Sequence, residues 1–280
     1  MINWERICWG TAQLGLDYGI SNSLGKTSKS EGLKIQENLE IKDSYFVDTS
    51  SLYGDSESVL GDIINKKNKI TSKYKNLQSI NLKNQIRKSL DNLNTKSLYA
   101  ILSHDPKEIL SNPSLWEDFL KVKEDKLTSK IGFSLYDEKD FEEIIKLNLK
   151  FDVVQVPLNY FDKRFDSIIK YCNENSIEVQ IRSVFLQGIF FKEMNLIPSF
   201  FDPLKKEITQ LQNIYGKNLG KFLVEYVFLN YQIDLVIIGF NNQEQLKELI
   251  DSENIDFSNF KRKFNAAIDS NIINPIKWPK

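Results

Sequence analysis

Short apolar segments alternate with longer segments of helical spacing along the whole chain. The short segments, such as VVQV and LVII, are apolar at nearly every position, which is typical of parallel strands covered on both faces. The longer segments carry apolar residues three and four positions apart, as in the stripe of Leu82, Ile86, Leu90 and Leu93. The predicted strands are Arg6–Gly10, Tyr45–Asp48, Lys69–Lys73, Leu98–Leu102, Lys130–Phe133, Val153–Val156, Glu178–Arg182 and Leu235–Ile238.

This alternation predicts an α/β protein whose parallel strands are joined by right-handed crossovers. Eight such units within 280 residues favour a (β/α)8 TIM barrel over an open doubly wound sheet. The open sheet would carry a GxGxxG turn after its first strand, and the sequence has none there. No linker rich in Pro, Gly or Ser divides the chain, so we expect a single domain over residues 1–280.

Two predicted connections are longer than the few residues usual between such elements. LGLDYGISNSLGKTS follows the first strand, and FLQGIFFKEMNLIPSFFD follows the seventh. Both leave the carboxyl ends of strands, which is the face where such barrels carry their chemistry. The aromatic residues of the second connection predict either an apolar wall or lid over a pocket, or a cluster that packs the loop down.

Composition and charge narrow the class of protein. Hydrophobic residues make up 41% and charged residues 27% of the chain, as in ordinary globular proteins. The formal charge of −1 gives no basic excess for nucleic acid, and no apolar stretch approaches the roughly 20 residues that cross a bilayer. Cys8 and Cys172 form no disulfide or CxxC pattern, and no secretory signal is visible, so a cytoplasmic location is expected.

Four polar residues stand at or just beyond the ends of the second, third and fourth predicted strands. Asp48 closes YFVD, Tyr53 follows in TSSLYG, Lys73 closes KITSK, and His104, the only histidine, follows YAILS. Each alone has an ordinary structural interpretation, such as a helix cap or a lysine reaching to solvent. The ends of adjacent barrel strands converge near the axis, so these four side chains are expected to meet there. Together they predict a catalytic site.

These residue types suit proton transfer to a carbonyl oxygen. A phenol has an unperturbed pKa near 10, and a neighbouring ammonium such as that of Lys73 lowers it. The Asp48 carboxylate can hold that ammonium in a dry site by pairing with it, and a neutral His104 can orient the substrate oxygen. One histidine and two distant cysteines give no metal-ligand spacing, so no metal is expected.

The sequence resembles the aldo-keto reductase family over nearly its whole length. The matching segments are GTAQLGLDYG, FVDTSSLYGDSESVLG, ITSKY, LSHDP, IGFSLYD, VVQVPLNYFDKR, RSVFLQG and VIIGFNNQEQL, in this order. The resemblance implies an NAD(P)(H)-dependent oxidoreductase that interconverts a carbonyl and an alcohol, with Tyr53 as the general acid. The N-terminal β-hairpin of many members is expected to be absent, because the first predicted strand begins almost at Met1.

The resemblance also implies the cofactor contacts. Ser134 and Gln155 would hold the nicotinamide carboxamide, Asp48 would lie near the nicotinamide ribose, and Asn159 matches the rim less closely. Arg182 stands where the family often has an aromatic residue stacked on the nicotinamide. Its guanidinium would either lie against that ring or pair with a carboxylate. The remaining expected contacts are Ser183, Gln187, Gly188, Gly239, Asn241, Gln245 and Glu248.

The choice between the two cofactors depends on the segment after the eighth strand. Members strict for the phosphorylated cofactor carry cations there, where this chain has Asn241, Asn242 and Gln245. The backbone N–H groups of the helix N-terminus could still bind a phosphate, and Glu248 could meet the adenine amino group. The resemblance favours NADP(H), the usual cofactor of the family, whereas the lack of cations after the eighth strand keeps NAD(H) possible.

The substrate and two other functions stay open. The opening GTAQLGLDYGISN is similar to bacterial members associated with surface polysaccharides, which makes a sugar-like carbonyl and a role in carbohydrate biosynthesis plausible. One alternative is an NAD-dependent sugar or alcohol dehydrogenase that uses the same site. The other is a cofactor-binding regulatory protein with low turnover. The complete set of four polar residues argues against it, because a site without catalysis has no need of Lys73 beside Tyr53.

Overall fold

The computed structural model describes residues 2–253, 255 and 268–279. Within them, eight parallel strands pair in chain order and the last pairs with the first, so the sheet closes into a barrel. This confirms the predicted (β/α)8 fold, and every strand lies within two residues of its predicted bounds. The strands are β1 (Ile7–Gly10), β2 (Phe46–Asp48), β3 (Lys69–Tyr74), β4 (Leu98–Ser103), β5 (Thr128–Ser134), β6 (Val153–Pro157), β7 (Glu178–Arg182) and β8 (Leu235–Gly239).

Helices fill the connections between the strands. They are α1 (Ala12–Gly15), α2 (Lys29–Ile41), α3 (Ser56–Ile63), α4 (Leu82–Asn92), α5 (Pro106–Ser111), α6 (Trp116–Glu124), α7 (Glu138–Lys146), α8 (Asp166–Glu174), α9 (Asp202–Tyr215), α10 (Leu219–Asn230), α11 (Gln243–Ile250) and α12 (Ser270–Ile273). The described segment before β1 is a 3-10 helix, Trp4–Arg6. In the described part of the chain, no helix is long and apolar enough to cross a membrane.

Side chains alternate between the two faces of the barrel wall. Outward-facing residues such as Trp9, Val47 and Phe133 join the large apolar core between strands and helices. Two small apolar clusters fill part of the interior: Cys8, Leu235 and Ile237, and Ala100, Leu102 and Val153. Buried polar side chains also lie in the interior, and hydrogen bonds connect Lys73, Asp48, Gln155 and Gln180.

Candidate functional site

Asp48 and Lys73 form a buried ion pair at the carboxyl ends of β2 and β3. Lys73 Nζ lies 2.6 Å from Asp48 Oδ2, and the two side chains are 1% and 5% exposed. The ammonium also donates to the carbonyl oxygen of Thr49 at 2.9 Å and lies 3.4 Å from the Tyr53 hydroxyl. Each of its three N–H groups therefore has an acceptor, which is the condition for burying an ammonium without a large loss of stability.

Tyr53 lies in the turn after β2, with its hydroxyl beside the Lys73 ammonium. Burial, followed by the Asp48 carboxylate, raises the pKa of the Tyr53 phenol well above its ordinary value of about 10. The net direction is opposite to the lowering expected from Lys73, because burial and the Asp48 carboxylate outweigh the effect of the ammonium. The phenol is protonated at neutral pH.

His104 follows β4 and faces Tyr53 edge-on, with ring centroids 6.0 Å apart at 81°. Burial, then the cations of Lys73 and Arg182, lowers the pKa of His104 to about 3, so the ring is neutral as predicted. His104 Nδ1 lies 3.2 Å from Ser50 Oγ. Ser50 Oγ also lies 3.1 Å from the Lys73 carbonyl oxygen, and its single proton can go to only one of these two acceptors. When the Ser50 hydroxyl donates to Nδ1, the ring proton stands on Nε2 and that nitrogen becomes a donor; when it donates to the Lys73 carbonyl, Nδ1 carries the ring proton and donates to Ser50.

Ser134 and Gln155 are paired residues of β5 and β6, and both are fully buried. Gln155 Nε2 donates to Asp48 Oδ1 at 2.7 Å, which joins this pair to the ion pair. Within the described residues, Ser134 Oγ and Gln155 Oε1 have no hydrogen-bond partner. Because an unpaired buried polar atom costs about 1–3 kcal/mol, the two oxygens indicate a place for a polar ligand.

A cavity of about 660 Å³ has Asp48 and Tyr53 in its wall, whereas Lys73, His104, Ser134 and Gln155 are not among its lining residues. It also brings together most of the expected cofactor contacts: Arg182, Ser183, Gln187, Gly188, Gly239, Asn241, Gln245 and Glu248. Asn159 lies outside this wall and supports it instead. Its Oδ1 accepts from the backbone N–H groups of Phe161 and Asp162, and its Nδ2 donates to the Ser183 carbonyl at 3.3 Å.

Arg182 projects from the end of β7 toward the loop after β5. It donates to the Leu135 carbonyl at 2.8 Å, and its guanidinium lies over the Tyr136 ring at 3.8 Å from the centroid. In the described part of the chain it makes no salt bridge, which leaves the carboxylate-paired alternative without support. The planar cation is thus stacked on an aromatic ring at the cavity wall.

The two long connections meet across the cavity. Ser21 Oγ donates to the Gln187 carbonyl at 2.7 Å, and the Ile20 N–H donates to Gln187 Oε1 at 3.3 Å. Gly188 has a φ of +86°, and a Cβ there would come within 1.8 Å of Ser21 Oγ. The contact therefore requires glycine at this position.

The aromatic residues of the connection after β7 fulfil both predicted roles. Phe190 is buried and stacks on Phe161 with centroids 5.2 Å apart, which packs the loop onto the core. Phe185 and Phe191 instead lie in the cavity wall and contact each other edge-on. One part of the loop is an anchor and the other is an apolar wall.

Several cavity residues escaped the sequence analysis because they lie in loops or on helices without a distinctive motif. Among them are three lysines, Lys192, Lys217 and Lys221, none of which lies in the segment after β8 where the family carries its cations. Lys217 pairs with Glu253 at 2.9 Å, and Lys221 lies 3.9 Å from Glu225. Other unforeseen wall residues are Gln13, Tyr18, Ile20 and Ser21.

Comparison with known proteins identifies the family. The model of the aldo/keto reductase family matches residues 6–272, which is most of the chain. The chain therefore belongs to the aldo/keto reductase family. It is an NAD(P)H-dependent oxidoreductase, and its fold binds small carbonyl compounds. No curated protein matches its sequence.

Solved structures share the fold at low sequence identity. Aldo-keto reductase AKR11C1 from Bacillus halodurans, in its holo form, is 15% identical with a TM-score of 0.70, over 88% of this chain and 85% of that one. The thermostable aldo-keto reductase Tm1743, in complex with the inhibitor epalrestat, is 18% identical with a TM-score of 0.67, over 91% of each chain.

Proposed function

We propose that this protein reduces a carbonyl compound to an alcohol and that Tyr53 delivers the proton. The observation that carries the proposal is the position of Lys73 Nζ, which lies between Asp48 Oδ2 at 2.6 Å and the Tyr53 hydroxyl at 3.4 Å. A structural lysine has no need of a phenol beside it in a dry site. General acid catalysis does need one, because the cation stabilises the phenolate left after proton transfer.

Each residue of the site has one task in this reaction. Reduced nicotinamide supplies the hydride, and the protein supplies position and charge. Tyr53 gives its proton to the carbonyl oxygen as negative charge develops there, and Lys73 stabilises the resulting phenolate. Asp48 keeps Lys73 in place. His104, with its proton on Nε2, donates to the same oxygen and orients the carbonyl.

The residues present fit a nicotinamide carboxamide. Ser134 Oγ and Gln155 Oε1 are buried and unpartnered among the described residues, and a carboxamide offers one acceptor and one donor group. The Ser134 hydroxyl would donate to the carboxamide oxygen, and Gln155 Oε1 would accept from its NH2 group. Along the cavity, Arg182, Ser183, Gln187 and Gly188 would follow the nicotinamide end.

Gly239, Asn241, Gln245 and Glu248 would hold the adenine end of the cofactor. NADP(H) is the favoured cofactor, and NAD(H) is the alternative. Asn241 Nδ2 is buried and has no partner among the described residues, which suits a polar contact with the bound dinucleotide. The cytoplasmic location and the sugar-like substrate expected from the sequence belong to the same proposal.

The NAD-dependent dehydrogenase is the alternative reaction at the same site. Reduction needs a protonated phenol, whereas oxidation of an alcohol needs a phenolate to accept the proton. An ordinary phenol is already protonated at neutral pH, and burial and Asp48 raise the pKa of Tyr53 further. The raised pKa also makes Tyr53 a weaker acid, so reduction depends on the stabilisation of the phenolate by Lys73.

A turnover screen tests the proposal. Purified protein with NADPH or NADH is offered sugar-derived aldehydes and plain aliphatic and aromatic aldehydes, and the loss of reduced-nicotinamide absorbance is followed. We expect turnover with at least one class and a preference for polyhydroxylated aldehydes. Tight cofactor binding without turnover on any carbonyl would favour the low-turnover regulatory protein instead.

A further inference from the structure

A chain of buried polar side chains continues from the site down the barrel axis. Gln155 Nε2, which donates to Asp48 Oδ1, also lies 3.3 Å from Gln180 Oε1. Gln180 Nε2 in turn donates to Glu178 Oε1 at 2.8 Å. Both glutamine side chains are fully buried, so each bond lies in a region of low dielectric, where hydrogen bonds are stronger and unmade ones cost more.

The lower end of this chain is anchored by charge. Glu178 Oε2 accepts from the Tyr99 hydroxyl at 2.5 Å and pairs with the Lys130 ammonium, while Lys130 also lies 2.9 Å from the Tyr99 oxygen. The Glu178 side chain is 8% exposed and that of Lys130 is 32% exposed. Because Lys130 can only donate, it favours an acceptor oxygen on the side of residue 178 that faces it.

These partners leave one orientation for each amide. The Glu178 carboxylate can only accept, so Gln180 must turn its NH2 group toward Glu178 and its carbonyl toward Gln155. Asp48 can also only accept, so Gln155 directs its NH2 group to Asp48 and Gln180 together. The carbonyl Oε1 of Gln155 is then the atom that remains without a partner.

We propose that Gln180, oriented by Glu178, is a positioning residue that fixes the Gln155 amide so that its carbonyl oxygen is presented to the nicotinamide carboxamide. The inference rests on the proposed function, in which Gln155 binds that carboxamide. Gln180 itself touches neither cofactor nor substrate. Its contribution is to accept from the second N–H of Gln155, so that the amide is held by two hydrogen bonds and not by the bond to Asp48 alone.

The test compares two ligands in one variant. Gln180→Met keeps an unbranched side chain of similar size and removes both hydrogen bonds. The affinity of the reduced cofactor is measured by fluorescence, and that of ADP-ribose, or of its 2′-phosphate if the protein prefers NADPH, by calorimetry. Because ADP-ribose lacks nicotinamide, we expect its Kd to stay within about twofold, while the Kd of the reduced cofactor rises about three- to tenfold.

A second variant covers the case in which Gln180→Met does not fold. In Glu178→Gln, the oxygen of the amide at position 178 faces Lys130, and its NH2 group faces Gln180. The NH2 group at position 178 and the NH2 group of Gln180 are then two donors that face each other. Gln180 then inverts and opposes the NH2 group of Gln155. We expect the same selective loss of cofactor affinity, with side-chain volume preserved.

Ile181→Val is the matched control. It alters the next residue of β7, whose buried side chain faces the helical layer, and it perturbs packing without touching the polar chain. Its ratio of cofactor to ADP-ribose affinity should equal that of the wild type. If the ratio is unchanged in both Gln180→Met and Glu178→Gln, the role of Gln180 is wrong and the proposed function stands. If the wild-type protein binds neither NADH nor NADPH, both the proposed function and the role of Gln180 are wrong.

Discussion

The Tyr53 hydroxyl lies 3.4 Å from Lys73 Nζ and receives the third N–H of an ammonium whose other two are already donated. Because the tyrosine oxygen is the acceptor in this contact, its own proton is free to point elsewhere. The cavity wall includes Tyr53, so that proton can be directed at a bound carbonyl. The Tyr53 oxygen thus accepts a hydrogen bond from Lys73, while the Tyr53 hydrogen remains available to the substrate oxygen.

Replacement of Tyr53 by phenylalanine tests the proton donor. We expect kcat for an aldehyde to fall by about 10²–10⁴-fold, since that is the usual contribution of general acid catalysis. Cofactor affinity should change little, because the phenol is proposed to contact the substrate oxygen. Stopped-flow measurement of hydride transfer, beside a fluorescence titration of the cofactor, separates the two quantities.

Tyr45→Phe is the control for this change, because the Tyr45 hydroxyl bonds only to Asp43 among the described residues, at the protein surface. It should leave kcat at the wild-type value. Wild-type turnover in Tyr53→Phe would assign the proton transfer to another group.

Loss of the Lys73 cation should change both stability and the pH profile. Lys73→Met leaves the Asp48 carboxylate buried without its ion-pair partner, which typically costs about 3–5 kcal/mol of folding free energy. It should also raise the pKa that limits reduction at high pH, because the phenolate loses its nearest cation. Urea unfolding and a pH–rate profile measure the two effects.

The double variant Lys73→Met with Asp48→Asn distinguishes charge from packing. Removing the unpaired carboxylate should recover much of the lost stability, while turnover stays low. Equal stability of the single and double variants would show that the buried charge is not the cause. A pH–rate profile that Lys73→Met leaves unmoved would exclude Lys73 as the group that tunes Tyr53.

The strands and the strand-end residues were predictable because both follow from local pattern. Apolar runs of four or five residues mark strands that are covered on both faces, and polar residues at their ends must face the mouth of a closed barrel. Helix α2 was not foreseen, because its Gly32 and scattered polar residues give a weak apolar stripe.

Other features depend on distances that sequence does not carry. The raised pKa of Tyr53 follows from burial and from the nearness of Asp48, which the pattern alone could not weigh against Lys73. Gln180 is one of three polar residues in the strand EVQIR, and only the closed barrel shows that it meets Gln155 on the neighbouring strand. The three cavity lysines come from segments whose packing no short motif encodes.

The neutral state of His104 predicts a pH-dependent stability difference. Its pKa is about 3 in the folded protein, against about 6.5 for an exposed histidine. Between these values the unfolded chain binds more protons than the folded one, so stability falls as pH drops from about 6.5 toward about 3. The loss is on the order of 5 kcal/mol at most, at roughly 1.4 kcal/mol per pKa unit.

The variant His104→Gln should lose this part of the pH dependence. Since His104 is the only histidine, the stability difference between variant and wild type reports on it without interference from another imidazole. Urea unfolding at pH values from about 7 to 4 gives this difference, which should shift in favour of the variant as pH falls. Parallel stability curves would mean that the buried ring accepts a proton as readily as an exposed one.

Cofactor preference can be predicted from the adenine end of the cavity. Asn241, Gln245 and Glu248 line it after β8, and the nearby Lys217 and Lys221 already face Glu253 and Glu225. A 2′-phosphate would have to compete with these carboxylates for either lysine, while Lys192, the third cavity lysine, donates to the Ile20 carbonyl at 3.2 Å. One charge-assisted hydrogen bond contributes about 1.5–3 kcal/mol, so without it a tenfold or larger preference disappears. We therefore expect measurable use of NADH alongside NADPH, determined by fluorescence titration of both.

The Glu248 carboxylate should contribute to this balance, because it is a negative charge in the cavity wall at the proposed adenine end and would repel a 2′-phosphate bound there. Glu248→Gln is expected to shift the ratio of Kd values toward NADPH by a few-fold, whereas Glu244→Gln, on the same helix but outside the cavity wall, should not. A wild-type preference for NADPH above about a thousandfold exceeds what one such bond supplies. In that case Lys217→Met should remove the preference if Lys217 leaves Glu253 to hold the phosphate.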